Sequence, residues 1–401
     1  MVPPTASNSG SGSPASPAAT SSGGASSGTA SSGATAEGPS PLAGSAVLAV
    51  SPTRAYRGFN TSLHRVRALE SLGAHVEVVD TSSDGLAGLA RFRYRVQNHL
   101  FARGWSVPLP DPTRSAQRAR AAGRRRSWDI VWLEKALTLG PRAVRELRAA
   151  CPRALIVGFS PDDMTRRHNQ SLQFIQALRH YDWFITTKAS RVGDLEALGC
   201  RNVVVVGNGF DPEAFRPVPV SSSDVGRLGG EVGFIGTYES ERARSLLVLA
   251  RAGLRVRVWG DGWRAKTQPH PNLRVEHAPL DFDDFSRACS AFKINLGFLR
   301  KLNADQQTTR SVEIPACGGF MLAERTAEHL ALFEEGREAE FFASDAELIE
   351  KCRRYLGDEA SRAAVARRGY ERCLASGYSN AGRLRQAFGV ILSSELGRER
   401  R

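Results

Sequence analysis

Residues 46–80, AVLAVSPTRAYRGFNTSLHRVRALESLGAHVEVVD, contain the pattern from which the fold class follows. The short apolar run at Ala46–Ser51 predicts a strand, the segment Phe59–Leu72 has helical periodicity, and the β-branched run at Ala74–Asp80 predicts a second strand. Two strands separated by a helix favour parallel pairing, because a parallel connection needs a crossover of about a dozen residues. The stretch therefore predicts an α/β fold.

The same alternation continues down the chain and predicts a first domain over residues 46–207. Further strands are predicted at Trp128–Leu133, Ala154–Phe159, Trp183–Thr187 and Asn202–Val206. Each of these runs is followed by a helical or loop segment, which is the order of a doubly wound, Rossmann-like sheet.

A second series of strands and helices predicts another Rossmann-like domain over residues 224–378. Its strands are expected at Val232–Ile235, Arg255–Trp259, Leu273–Val275, Ile294–Leu296 and Phe320–Leu322. Residues 208–223 are rich in Gly and Pro and suit a linker, and residues 379–401 suit a final helix that could pack back on the first domain. Two such domains facing a cleft place a ligand at the carboxyl ends of their strands.

Composition sets the limits of the folded part and of its chemistry. Residues 1–45 consist of Ser, Gly, Ala, Pro and Thr apart from Met1, Val2, Asn8, Glu37 and Leu42, which predicts a disordered tail. No stretch of about 18 apolar residues and no signal peptide is evident, so a cytoplasmic protein is expected. The six cysteines are scattered without zinc-ligand spacing, so neither a disulfide framework nor a metal site is predicted.

A basic region, at about Ala90–Ser127, interrupts the strand order of the first domain. It contains ten arginines and a single acid, Asp111; the arginines are Arg91, Arg93, Arg95, Arg103, Arg114, Arg118, Arg120, Arg124, Arg125 and Arg126. One interpretation is a solvated helix and loop, and the other is a surface for an anionic partner, whether an acidic glycan, a membrane surface or nucleic acid. No helix-turn-helix, zinc-finger or RNP-type motif is present, which argues against sequence-specific nucleic-acid binding.

Two segments resemble known glycosyltransferases. Residues 208–217, NGFDPEAFRP, resemble the N-G-x-D-x-x-x-F-x-P hinge of two-domain glycosyltransferases. Residues 303–322, NADQQTTRSVEIPACGGFML, resemble the donor-binding segment of the CgeB-like glycosyltransferases, in which an R-x-x-E-I-x-A-x-G-G-F pattern recurs. The stretches around Gly236, Trp259–Trp263, Ser160–Asp163 and Tyr181–Lys188 resemble further segments of that family.

The resemblance implies a GT-B fold, in which the second domain binds a nucleoside-diphosphate sugar and the first binds the acceptor. It implies a hexosyltransferase-type enzyme that works without a metal or other cofactor and retains anomeric configuration. A catalytically inactive nucleotide-sugar or glycan-binding protein is the alternative, because Asp305 stands where related enzymes often carry Glu. A nicotinamide-dependent oxidoreductase is disfavoured, since no early strand is followed by G-x-G-x-x-G.

The donor residues follow from the chemistry of a nucleotide sugar. The resemblance implies that Glu313 binds the ribose hydroxyls and that Asp305 contacts the donor sugar. The diphosphate needs N–H groups and positive charge. The candidates are Thr309 and Arg310 at a helix start, Gly236 and Thr237 after a strand, and Arg242. Arg244 is the fallback for Arg242. The alternatives are surface ion pairs for the arginines, a helix-dipole partner for Glu313 and a solvated loop acid for Asp305.

The acceptor residues are predicted from a strand end. Asp162 and Asp163 follow a strand of the first domain and could orient an acceptor hydroxyl or take its proton. A helix N-cap is the alternative for both. His168 and the pair Arg57–Gly58 come next, whereas Gly318–Gly319, Trp259 and Trp263 are expected to serve the structure.

Overall fold

A computed structural model describes residues 40–54, 60–82, 86–264 and 268–399 of the chain. The first part of this range forms a six-stranded parallel sheet in the order β2-β1-β3-β4-β5-β6. Its strands are β1 (Ala46–Ser51), β2 (His75–Asp80), β3 (Ile130–Glu134), β4 (Leu155–Ser160), β5 (Trp183–Thr186) and β6 (Val203–Val205). The helices that connect them are α1 (Thr61–Ser71), α2 (Gly88–Ala102), α3 (Ser115–Gly123), α4 (Pro141–Ala150), α5 (Leu172–Ala177) and α6 (Val192–Ala197).

The second part forms another six-stranded parallel sheet, in the order β12-β11-β10-β7-β8-β9. Its strands are β7 (Gly230–Ile235), β8 (Val256–Trp259), β9 (Leu273–Val275), β10 (Phe292–Gly297), β11 (Met321–Glu324) and β12 (Glu340–Phe342). Its helices are α7 (Ser222–Leu228), α8 (Ser240–Arg251), α9 (Phe282–Ala291), α10 (Arg310–Ala316), α11 (Ala327–Leu332), α12 (Asp345–Gly357), α13 (Glu359–Ala375) and α14 (Asn380–Glu399). The two doubly wound sheets confirm the predicted fold class.

Both faces of the first sheet are buried, as the continuous apolar strands require. Leu48, Val131 and Ile156 point to one face and pack with α3, α4 and α5. Val47 and Trp132 point to the other face and pack with α1 and α14. Since neighbouring residues of a strand face opposite sides, each strand contributes to both cores.

The last helix returns to the first sheet. Leu384, Phe388 and Ile391 of α14 are buried in the same apolar cluster as Trp132, and the Trp183 Nε1 atom donates to Glu395 over 2.8 Å. A β-bridge between Phe210 and Ser379 connects the predicted linker to the residue that precedes α14.

The folded region begins earlier than the composition indicates. Residues 40–45 were assigned to the tail, yet Leu42 is fully buried and the Ser40 hydroxyl donates to the Leu72 carbonyl over 2.5 Å. The lone leucine in a polar segment provides the apolar contact, and the backbone of Gly44 pairs with Gly73. The tail prediction otherwise concerns residues outside the described ranges.

Two further details differ from the sequence expectations. The helix α7 begins within the predicted linker, where Ser221 and Asp224 form a capping box. The strand β12 was not predicted. The basic region forms α2 and α3, joined by the segment 103–114.

Among the residues that the structure describes, none of the helices combines the length and apolarity needed to cross a lipid bilayer.

Candidate active site

A cavity of about 310 Å³ opens where the carboxyl ends of the two sheets meet. It lies beside β7 and β10, the neighbouring strands at which the strand order of the second sheet reverses, which is the usual ligand position in such sheets. Its polar lining comes from both sheets and from the hinge: Thr61, Lys135, Asp162, Lys188, Asn208, Thr237, Arg242, Arg300, Asn303, Asp305, Gln307, Thr308, Thr309 and Arg310.

The loop after β7 brings backbone into the cavity wall at Gly236 and Thr237. The Gly236 amide donates to the Trp259 carbonyl over 2.9 Å, and Trp263 Nε1 donates to the Gly236 carbonyl over 2.9 Å. Gly260, with a φ of 146°, passes so close that a Cβ atom there would lie 2.0 Å from the Gly236 oxygen. These contacts therefore fix the side of the loop that faces away from the cavity, and its other side lines the cavity.

Arg242 projects from the first turn of α8 into the cavity wall while remaining buried. Its guanidinium donates to the Thr237 carbonyl over 3.1 Å and to the Phe298 carbonyl over 3.4 Å. Its Nε atom is buried and has no hydrogen-bond partner among the described residues. Burial lowers the pKa of Arg242, and Glu239, 3.9 Å away, opposes that effect. A buried guanidinium with an unused N–H group is suited to an anionic ligand.

Arg310 stands at the start of α10, directly after Thr309. Its guanidinium forms an ion pair with Glu313, its Nε atom donates to the Ile235 carbonyl over 3.3 Å, and its Cζ atom lies 4.2 Å from the centre of the Phe285 ring. These contacts fix the side chain where it lines the cavity.

The wall contributed by the first sheet carries an ion pair between Lys135, after β3, and Asp162, after β4. Burial alone would raise the pKa of Asp162, but Lys135 and, at longer range, Lys188 and Arg300 outweigh it, so the pKa is lowered. Asp162 is therefore a carboxylate near neutral pH, and a weak proton acceptor.

A second ion pair crosses between the two halves of the cavity. Lys188, after β5, lies 2.5 Å from Asp305, and both side chains are buried. Asn303 donates to the same carboxylate over 2.7 Å and accepts from the Asp163 amide over 2.9 Å. Gln307 extends this contact by accepting from the Asn208 amide over 3.1 Å.

Six of the predicted donor residues line the cavity together; these are Gly236, Thr237, Arg242, Asp305, Thr309 and Arg310. Glu313 lies directly behind Arg310, with its side chain 2% exposed. Burial raises the pKa of Glu313, although the hydrogen bonds from Arg310 and Thr309 oppose the rise. It lies one turn into α10, where that helix is buried on every side, and so it does not reach the cavity wall.

Asp163 does not line the cavity as Asp162 does, although the sequence predicts that the two act together. Its side chain is completely buried and lies away from the cavity. It accepts from the Thr165 amide over 3.0 Å and lies 3.3 Å from Arg166 and 3.2 Å from Arg191. These partners occupy the carboxylate, so Asp163 stabilises the loop after β4 and is not placed for contact with a substrate.

The remaining candidates lie elsewhere. Arg244 faces a different cavity beside α12, and His168 is exposed outside the described lining of the active-site cavity. Trp259 and Trp263 donate to backbone carbonyls behind the cavity wall, as expected for structural residues. Arg57 and Gly58 lie outside the described residues.

Sequence reasoning missed the three basic residues Lys135, Lys188 and Arg300. Lys135 follows β3 directly, Lys188 follows β5 by two residues and Arg300 follows β10 by three, so the position of each at a carboxyl end of a strand was the available signal. With them, the described lining has five basic side chains and two acidic ones, a charge balance suited to an anion. Among the residues described, no group of His, Cys, Asp or Glu side chains is arranged to hold a metal ion.

Residues 242–389 match the sequence model of a family described as Glycosyl transferase-like. No curated protein matches the chain by sequence. Anabaena Alr3699/HepE, solved in complex with UDP-glucose, has a TM-score of 0.54 and 15% identity, with 87% of this chain and 100% of that chain covered.

Two further solved structures are similar over the same extent. Sucrose-phosphate synthase from Thermosynechococcus elongatus has a TM-score of 0.59 and 12% identity, with 87% of this chain and 100% of that chain covered. An alpha-glucosyltransferase solved with UDP and DNA has a TM-score of 0.61 and 11% identity, with 88% of this chain and 100% of that chain covered. At these identities the likeness concerns the fold, which is that of GT-B glycosyltransferases. The chain therefore has the GT-B fold, and most of its second half matches a glycosyl transferase-like family.

Proposed function

We propose that this protein transfers a glycosyl unit from a nucleoside-diphosphate sugar to an acceptor bound by the first domain. Two of the similar structures hold UDP or UDP-glucose, which supports a uridine nucleotide as the first donor to test. The motif in residues 303–322 supports a place among CgeB-like glycosyltransferases of hexosyltransferase type.

The observation that carries the proposal is the pair of guanidinium groups, Arg242 and Arg310, in one wall of the cavity. Arg242 is buried with an unused Nε atom, and Arg310 is fixed at the start of α10. Gly236 and Thr237 lie in the same lining and let the backbone approach the ligand closely, and the Gly236 N–H itself is bound to the Trp259 carbonyl. Guanidinium and backbone N–H groups are the donors that a diphosphate requires.

In the proposed reaction, the bond between the anomeric carbon and the diphosphate oxygen breaks, and the anomeric carbon forms a bond with an acceptor hydroxyl oxygen. The leaving nucleoside diphosphate gains negative charge, which Arg242 and Arg310 stabilise in place of a metal ion. The acceptor proton passes to the departing phosphate oxygen in a retaining transfer on one face of the sugar, so no strong base is needed.

Two carboxylates have distinct roles in this proposal. Asp162, kept ionised by Lys135, orients the acceptor by accepting a hydrogen bond from a hydroxyl group next to the one that attacks. Glu313 keeps the ribose contact that the family resemblance implies, which requires the Arg310–Glu313 pair to rearrange around the donor. Until that rearrangement, Glu313 positions Arg310.

The experiment is calorimetric titration of UDP into the protein and into Arg242→Gln and Arg310→Gln variants. Each substitution removes charge-assisted hydrogen bonds worth about 1.5–3 kcal/mol, so Kd should rise roughly 10- to 100-fold. Arg244→Gln is the matched control, because Arg244 lies two residues along α8 and outside this cavity. Arg242→Lys and circular dichroism of every variant separate lost binding from lost folding. Equal affinity of all variants would contradict the assignment of this cavity.

The alternative, an inactive nucleotide-sugar or glycan-binding protein, is favoured by the Lys188–Asp305 ion pair, which occupies the acid expected to touch the donor sugar. Release of nucleoside diphosphate from a panel of nucleotide sugars and acceptors distinguishes the two. Release that depends on acceptor supports transfer, and tight UDP binding without release across the panel supports the alternative.

A further inference from the structure

The helix α2 is the least buried helix segment of the basic region. Over its 15 residues, the one buried side chain is Phe101, near its end. Phe101 packs under Arg167, whose Cζ atom lies 4.7 Å from the ring centre and whose Nε atom donates to the Phe101 carbonyl over 3.2 Å. Most of the other side chains of the helix are exposed.

The exposed surface of α2 carries large apolar side chains. Leu89 is 71% exposed, Phe92 64% and Val96 38%, and Trp105, just after the helix, is 65% exposed. Leu89, Phe92 and Val96 follow at intervals of three and four residues, so they share one face of the helix. Four such residues within one short segment form a patch of the kind that marks an interaction surface.

Exposed arginines flank this apolar face. By the periodicity of the helix, Arg93 and Arg95 lie on either side of the apolar face, Arg91 lies further round the helix, and Arg103 follows at the end of the helix. No described residue forms an ion pair with any of these four guanidinium groups. Their long side chains can extend beside the apolar face and keep their charge at its border.

We propose that α2 docks on the surface of an anionic lipid bilayer, with Leu89, Phe92, Val96 and Trp105 in the headgroup region and the flanking arginines on lipid phosphates. A helix that combines a basic border with an exposed apolar face is suited to lie in the membrane interface. Tryptophan favours the same depth. A nucleic acid or an acidic glycan would use the arginines and leave the four apolar side chains in water.

The position of α2 gives this contact a defined orientation. Arg167, which anchors Phe101, belongs to the short 3-10 helix Arg167–Asn169 in the loop that follows β4. The same loop carries Asp162 at the active-site cavity. Docking through α2 therefore brings the acceptor side of the first domain close to the lipid surface, and the binding itself does not depend on the proposed transfer reaction.

The test is sedimentation of the full chain with phosphatidylcholine vesicles and with vesicles that contain about 30% phosphatidylglycerol, in about 0.1 M and about 0.5 M NaCl. Binding is expected to the anionic vesicles and to weaken with salt. The variant Arg91→Ser/Arg93→Ser/Arg95→Ser should lose about 100-fold in partition, at about fivefold per arginine near a charged surface. Leu89→Ser/Phe92→Ser should lose about tenfold or more.

Matched controls keep the test specific to α2. Arg255→Ser/Arg274→Ser/Arg337→Ser removes the same charge from exposed positions elsewhere, and Leu374→Ser/Val390→Ser removes exposed apolar groups from α13 and α14. Both should bind vesicles as the parent chain does. Brominated lipid should quench the fluorescence of Trp105, a signal lost in Trp105→Phe.

Three results would overturn the proposal. The first is no binding to anionic vesicles, and the second is equal binding by the α2 and control variants. The third is binding to heparin or DNA and to vesicles that depends on the arginines but is unchanged in Leu89→Ser/Phe92→Ser, which would identify a general polyanion surface.

Discussion

At the scale of single residues, most cations of the candidate site are paired with an acid. Lys135 pairs with Asp162, Lys188 with Asp305, and Arg310 with Glu313. Arg242 differs, because its nearest acid is 3.9 Å away and its main partners are backbone carbonyls. On the proposed function, this difference makes Arg242 the cation most ready to bind the donor phosphate, while the paired cations fix the shape of the cavity.

The Lys188–Asp305 pair should stabilise the contact between the two sheets. Both side chains are buried, with 6% and 5% exposure, so removing one partner leaves an uncompensated charge. Lys188→Met and Asp305→Ala should each lower the free energy of unfolding by about 3 kcal/mol, and the double variant should lose clearly less than the sum. Urea unfolding followed by far-UV circular dichroism measures all three.

The exposed pair Arg337–Glu334 supplies the control for that cycle. Its atoms are 3.0 Å apart, but both side chains are more than half exposed. Its coupling energy should stay below about 1 kcal/mol. Additive losses for Lys188 and Asp305 would show that their proximity does not contribute to stability.

The predicted donor residues that line one cavity all come from short motifs. Thr309, Arg310 and Asp305 come from one segment, and Gly236, Thr237 and Arg242 come from another, so local spacing was enough to select them. The partner of Asp305 is 117 positions away in sequence, and no local pattern predicts such a pair. Asp163 shows the opposite limit, because its side chain is buried and its partner Arg191, which is 28 positions away in sequence, becomes evident only in three dimensions.

At the scale of elements, alternating apolar runs and helical segments predicted the strands from β1 to β11, with small differences at their ends. The strand β12 was not predicted, because its sequence, Glu-Phe-Phe, begins with an acid. That acid, Glu340, is buried and binds Tyr355 and Lys351 of α12. A buried charged residue satisfied by a later helix cannot be distinguished from a loop residue by hydropathy alone.

Close packing of α13 gives a prediction about one glycine. A Cβ atom at Gly369 would lie 2.4 Å from the Glu338 carbonyl oxygen, and the same helix packs on α10, where Cys373 Sγ lies 3.7 Å from the Val312 carbonyl. Gly369→Ala should therefore force the backbone apart and lower the free energy of unfolding by about 2 kcal/mol. Thermal and urea unfolding measure the change.

Gly389 of α14 is the matched control, because nothing lies within 4 Å of its Cβ position. Gly389→Ala should raise stability by roughly 0.5–1 kcal/mol through helix propensity alone. If Gly369→Ala were also stabilising, the close approach of α13 to the Glu338 backbone would be wrong.

At the scale of the whole molecule, the strands of the first sheet all precede those of the second, but the helix layer on one face of the first sheet is completed only by the end of the chain. The helix α14 follows the second sheet in sequence but covers one face of the first, where Leu384, Phe388 and Ile391 are buried beside Trp132. The first sheet therefore needs the end of the chain to bury that face. Residues near the carboxyl end should consequently influence the stability of strands more than 200 positions earlier.

Phe388→Ala tests this dependence, because the side chain is fully buried and its ring centre lies 6.2 Å from that of Trp132. We expect a loss of about 3–5 kcal/mol, from lost transfer energy and the cavity left behind. Hydrogen exchange read by mass spectrometry should show faster exchange in β3 and β4, with β10 and β11 changed least. Val390→Ala, on the exposed side of α14, should change stability by about 0.5 kcal/mol or less. Faster exchange confined to the second sheet would contradict the assignment of α14 to the first.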